Sequence, residues 1–172
     1  MYIFITILIS LSTALLSAYL TDRYAKKRAK SEQLSQLQAT KLAIHAELQA
    51  VLNLYEPYKL SPNLPQSGDD IKVIRISSKY NTVYRNNADK LGLMERNVVE
   101  SVVTAYTLME AFIDTLSLLA SRWESMVTAE RSNADISLYR QDMLACYQVA
   151  YEQQTITLRA IRKAIQILKG ED

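Results

Sequence analysis

The first twenty residues, MYIFITILISLSTALLSAYL, carry no charged side chain, and this run constrains the chain more than any other feature. At ~1.5 Å of rise per residue, a helix of that length spans about 30 Å, the thickness of a bilayer's hydrocarbon core. The serines and threonines within it (Thr6, Ser10, Ser12, Thr13, Ser17) are compatible with this, because their hydroxyls bond back to the helix's own carbonyls. Tyr2, Tyr19 and Tyr24 lie near its two ends, where an amphipathic ring suits the headgroup zone. Arg23, Lys26, Lys27, Arg28 and Lys30 follow at once, with only Asp22 against them. A cleaved signal peptide places positive charge before its apolar run. Here the charge comes after. The positive-inside rule therefore predicts an uncleaved transmembrane helix over 1–20 and a basic juxtamembrane segment over 21–30. It puts the N-terminus outside and the remainder in the cytoplasm, and the same cluster attracts anionic lipid.

The charge count then excludes a partner class. Of 20 basic and 18 acidic residues, five basic and one acidic lie in this segment, which leaves 15 against 17 elsewhere. No global basic patch for nucleic acid remains. The single cysteine, Cys146, cannot form an intramolecular disulfide or a cysteine-based zinc site.

Glycine and proline, three of each, set the architecture. Neither occurs between Leu20 and Glu56, so the membrane helix is expected to run on as a stalk into a first cytoplasmic helix over 31–56. That helix carries Leu34, Leu37, Lys41, Ile44, Leu48, Val51 and Tyr55 at three- and four-residue steps, and Pro57 ends it. Residues 57–77 read as a loop, with three prolines, Gly68 and Asp69-Asp70; IKVIRI over 71–76 is an extended lead-in or a first helical turn. A short helix is expected over 78–91, with Gly92 as a left-handed cap. A long helix over 95–129 follows, with Val99, Val102, Tyr106, Met109, Ile113, Leu116, Ala120, Trp123 and Val127 as its apolar face. Ser132 and Asp135 resemble a capping box that opens a second long helix over 132–169, with Leu144, Tyr147, Tyr151, Gln154, Leu158, Ile161, Ile165 and Leu168 facing inward. The short turn between them predicts an antiparallel hairpin. The expected fold is all-α: a transmembrane helix continuing into a three- or four-helix bundle over 78–170 and the first cytoplasmic helix, packed like a coiled coil.

No catalytic, cofactor or metal site is predicted. His45, the one histidine, has no Glu-x-x-His context, and no signature pairs it with Cys146 as base and nucleophile. Glu110 and Asp114 share a helix face, and Asp69-Asp70 lacks the spaced oxygens of a calcium loop. Neither a P-loop nor a GxGxxG or GxSxG motif is present. Tyr58 and Tyr139 fall off the apolar stripes and are candidates for a protein-binding surface. Gln154, the one polar member of the last stripe, reads as a register-fixing residue whose replacement by leucine should stabilise the fold.

The run Tyr80 to Tyr106 resembles a segment of single-pass bacterial membrane proteins to which no activity is attached. The resemblance rests on Tyr84, Asn87, Leu91, Gly92, Leu93, Val98, Val99, Val102, Val103 and Tyr106. It implies a bacterial inner-membrane setting. Three functions fit these readings: a non-enzymatic helical interaction or scaffold protein that binds an unidentified protein or itself; an exclusion or immunity factor of a phage or mobile element; and a small-molecule sensor with a site in the bundle core.

Overall fold

The computed structural model describes residues 2–63, 81–132 and 134–170, with side chains from Leu15 onward. Five α-helices are present and no strand occurs among the described residues. They are α1 (Tyr2–Tyr55), α2 (Thr82–Asn86), α3 (Ala88–Leu91), α4 (Arg96–Arg131) and α5 (Ser137–Lys169), with a 3-10 turn at Glu56–Tyr58. The chain forms two compact units, 1–40 and 41–172. IKVIRI and Asp69-Asp70 lie outside the described residues.

The second unit is built on α4. Cys146 lies against the carbonyl of Thr115, Thr157 Oγ1 donates to the carbonyl of Leu108 at 3.2 Å, and Arg122 faces Asp142 at 3.7 Å. Numbers rise along α4 as they fall along α5, so the two helices form an antiparallel hairpin. The C-terminal part of α1 closes the core from the other side. Ile44, Leu48, Val51, Leu52 and Tyr55 join one buried cluster with Val102, Met109, Phe112, Ile161 and their neighbours. Rings of Tyr55 and Phe112 meet at 5.6 Å between centroids. Each large apolar side chain buried in this way contributes roughly 1.5–3 kcal/mol. By length and composition α4 is also apolar enough to cross a membrane, but Val102 and Met109 are wholly buried by protein, as in a core helix.

The apolar tracks differ in detail from the sequence expectation. On α4 the buried residues are Val98, Val102, Ala105, Tyr106, Met109, Phe112, Leu116, Leu119, Met126 and Ala129. Val99, Ile113, Ala120, Trp123 and Val127 are only half-buried, on its flank. Two tracks one residue apart share every second member, and spacing alone cannot choose between them. Packing chooses: Ala105, Phe112 and Leu119 are almost wholly shielded from water, and the Phe112 ring meets Tyr55 of α1. On α5, Met143, Ala150, Thr157 and Ala164 are likewise buried, while Leu144, Tyr151 and Leu168 are half-buried. Leu34 is exposed and Leu37 half-buried, and the first α1 residue in the core cluster is Ile44.

Element ends bring further corrections. The region expected as one helix over 78–91 holds two short helices broken at Asn87, whose side chain donates back to the carbonyl of Val83 at 2.8 Å. Gly92 is right-handed (φ −61°), and a Cβ there would meet only Asp89 O at 3.7 Å. The left-handed cap is Gly170 (φ +75°), which closes α5 onto the carbonyls of Gln166 and Ile167. Ser132 opens no helix: its hydroxyl donates to Ala129 O at the end of α4. Asp135 instead accepts the Ser137 backbone N–H at 2.9 Å, and α5 starts there rather than at 132. That bond holds the Asp135 carboxyl below its usual range.

Gln154 is 4% exposed, and its amide does more than fix register. Its Oε1 accepts the Leu60 backbone N–H at 2.7 Å, and its Nε2 donates to Tyr58 O at 3.2 Å. Two turns earlier on the same face, the Tyr147 hydroxyl accepts the Ser61 N–H and donates to Ser61 O. These two side chains satisfy the backbone of the segment leaving α1. Gln154→Leu should therefore destabilise the protein by about 1–3 kcal/mol, reversing the sequence expectation, since it strands two backbone groups. Urea unfolding measures this. Gly92→Ala, in contrast, should be neutral or stabilise by about 0.4–1 kcal/mol, because the position is already right-handed.

Candidate functional site

The most connected polar group in the described structure is Glu47, on the α1 face beside Ile44 and Leu48. Its carboxylate accepts the backbone N–H groups of Val83 at 2.9 Å and Tyr84 at 3.2 Å, both in the first turn of α2. It also accepts the Tyr106 hydroxyl of α4 at 2.5 Å. Tyr84 stacks on Tyr106, with ring centroids 4.2 Å apart and planes 18° off parallel. Glu47 thus supplies the cap that α2 lacks from its own sequence. Arg85 adds an exposed ion pair to Glu110 at 3.3 Å. The arrangement joins α1, α2 and α4. The bonds to Glu47 tie one part of the fold to another, and the arrangement is a clasp.

Burial, then the hydrogen bond and negative charge of Glu47, push the Tyr106 phenol far above its ordinary value near 10. A phenol raised in this way contributes stability that is present below the unfolded value of about 10 and lost as pH rises beyond it. Tyr106→Phe should cost about 1.5–3 kcal/mol at neutral pH, the range for a hydrogen bond to a charged group. The variant should also lose less stability than the natural protein above about pH 10. Chemical unfolding followed across that range tests both.

The other candidates are dispersed. Among the described residues, no group of three or more His, Cys, Asp and Glu side chains is brought together. His45 is half-buried, and its Nε2 has no hydrogen-bond partner. The Cys146 thiol faces the carbonyl of Thr115, and burial pushes its pKa up, opposed by the charge of Arg122; such a thiol is a poor nucleophile. Glu110 pairs with Arg85, while Asp114 is exposed.

Tyr58 and Tyr139 are both exposed but lie apart. Tyr58 ends the 3-10 turn, beside a cavity of about 440 Å³ lined by Lys59, Leu60, Pro62, Tyr151, Gln154 and Arg162. Next to it Arg162 and Lys59 share Glu56, at 2.6 Å and 3.6 Å, and the Arg162 bond holds that carboxyl below its usual value. Tyr139 borders a shallow cavity of about 450 Å³ at the hairpin tip. There Ser125, Thr128 and Ser132 donate their hydroxyls to carbonyls of their own helix.

On α1, Tyr19 and Tyr24 are exposed, and Tyr2 lies in the helix ahead of the described side chains. Lys26 pairs with Asp22 at 2.7 Å and Arg28 with Glu32 at 3.1 Å. Arg23, Lys27 and Lys30, at i, i+4 and i+7, share one helix face. Glu47 as a clasp escaped sequence reasoning because its partners lie 36 to 59 residues away. No family model matches this chain, and neither a curated protein nor a solved structure matches it.

Proposed function

We propose that this is a membrane-anchored, non-enzymatic interaction protein, held by residues 1–20 in a bacterial inner membrane with its N-terminus outside. Residues 41–170 act as a cytoplasmic helical bundle that presents surfaces to a protein partner. The observation that carries the reading is the exposure of the anchor's described end. Leu15 is 65% exposed, Leu16 61% and Tyr19 62%, on a helix with no charge before Asp22. In water, burying such side chains is worth roughly 1.5–3 kcal/mol each, and a bilayer supplies that burial. The five cations after Tyr19 then sit at the headgroup level on the cytoplasmic side, where anionic lipid favours each by about 1 kcal/mol.

The chemistry of the second unit supports an interaction role. Its polar side chains with several partners, Glu47, Tyr147 and Gln154, are occupied by backbone groups of the protein itself. Membrane fractionation tests the anchor. The natural chain should resist carbonate extraction, and Ile9→Arg with Leu11→Arg should release it, because an Arg near mid-bilayer costs about 2.5–3.5 kcal/mol on insertion scales. Quantitative extraction of the natural chain would overturn the reading.

A further inference from the structure

The five cations that follow the uncharged run of α1 are of two kinds. Lys26 pairs with Asp22 at 2.7 Å and Arg28 with Glu32 at 3.1 Å, each within the helix. Arg23, Lys27 and Lys30 are exposed and have no ion-pair partner among the described residues. At ~100° per residue these three share one side of α1 with Leu16 and Tyr19, within an arc of about 80°. Leu16 and Tyr19 are themselves 61% and 62% exposed. Asp22 and Glu32, the acidic residues between Leu15 and Thr40, stand about 100° and 180° from Arg23. The free cations therefore occupy a face that holds no carboxylate.

We infer that Arg23, Lys27 and Lys30 form a headgroup-binding face, which gathers the phosphates of anionic phospholipid on one side of α1, and that Lys26 and Arg28 do not contribute to it. The inference rests on the membrane-anchored reading. All five cations feel the negative potential of the leaflet, but a free one can exchange it for direct contact with a phosphate. Helix geometry brings the three to one depth. Their Cα atoms lie about 4.5, 10.5 and 15 Å beyond Leu20 along the axis, and the headgroup zone reaches about 5–7.5 Å beyond the hydrocarbon core. Arg23 stands inside that zone. Side chains on a helix tilt toward its N-terminus, which here is toward the bilayer, so the long stems of Lys27 and Lys30 lean back to the same level.

The order of side chains along this face selects a lipid as the occupant. Leu16 stands where an acyl chain runs, Tyr19 at the interface, and the cations at the phosphate, so the face matches a phospholipid along its length. A free phosphate or an acidic protein would leave Leu16 and Tyr19 unused. The far side of α1 offers no such match: Ala18, Ala25 and Ala29 lie there with Glu32, and its cation, Arg28, is paired. Anionic lipid is thus held on one side of the helix rather than as an even ring. Where the charges stand then matters more than how many there are.

The test compares two variants that remove the same charge, Lys27→Gln with Lys30→Gln and Lys26→Gln with Arg28→Gln. The full chain is reconstituted in phosphatidylcholine vesicles that carry a trace of spin-labelled phosphatidylglycerol or, in parallel, spin-labelled phosphatidylcholine. Electron paramagnetic resonance reads the fraction of each lipid immobilised on the protein. The natural chain should prefer phosphatidylglycerol. Lys27→Gln with Lys30→Gln should lower that preference about two- to fivefold, up to the attraction of one cation near the surface. Lys26→Gln with Arg28→Gln should leave it unchanged. A loss from this second pair equal to or greater than the loss from the first would make the cluster a diffuse charge and overturn the proposal. So would a natural chain that holds both lipids equally. Protein that fails to float with the vesicles would instead defeat the anchored reading, so flotation tells the two failures apart.

Discussion

Met109 and Phe112 sit on α4 where that helix faces both α5 and the end of α1, and both are shielded almost completely from water. Three helical segments bury their apolar tracks against one another only because α4 offers two adjacent ones. One of them, at Leu108, Thr115 and Arg122, meets α5. The other, through Tyr106 and Phe112, meets α1. Small side chains at Ala105, Ala150 and Ala164 allow close approach, and large ones at Phe112, Leu48 and Ile161 fill the space between. A change at Phe112 would disturb the contact with α1 directly, since its ring touches Tyr55.

Helices satisfy their own backbones, so the difficulty in this fold lies where the chain is not helical. A few polar side chains placed in or beside the apolar tracks meet that need. Glu47 caps α2 from α1, and Tyr147 with Gln154 holds the exit of α1 from α5. Asp135 opens α5 from the preceding turn. Each replaces water as the partner of backbone groups that packing has partly dried. A polar residue on an apolar stripe is therefore no flaw in the pattern. It marks the places where a connecting segment is tied to a helix.

This division explains how much the sequence reveals. Helical periodicity is local, and the positions of Leu48, Val102, Met109, Leu116, Leu158 and Ile161 as core residues were legible from spacing alone. So was the break at Pro57, where a missing N–H and a steric clash act within one turn. Choosing Phe112 over Ile113, or Ala150 over Tyr151, depends on where the neighbouring helix lies, which spacing does not encode. The roles of Glu47 and Gln154 were hidden for the same reason, because their partners stand far off in sequence. Gly92 misled because glycine fits a left-handed cap but does not require one; among the described residues Gly170 is the glycine that adopts it.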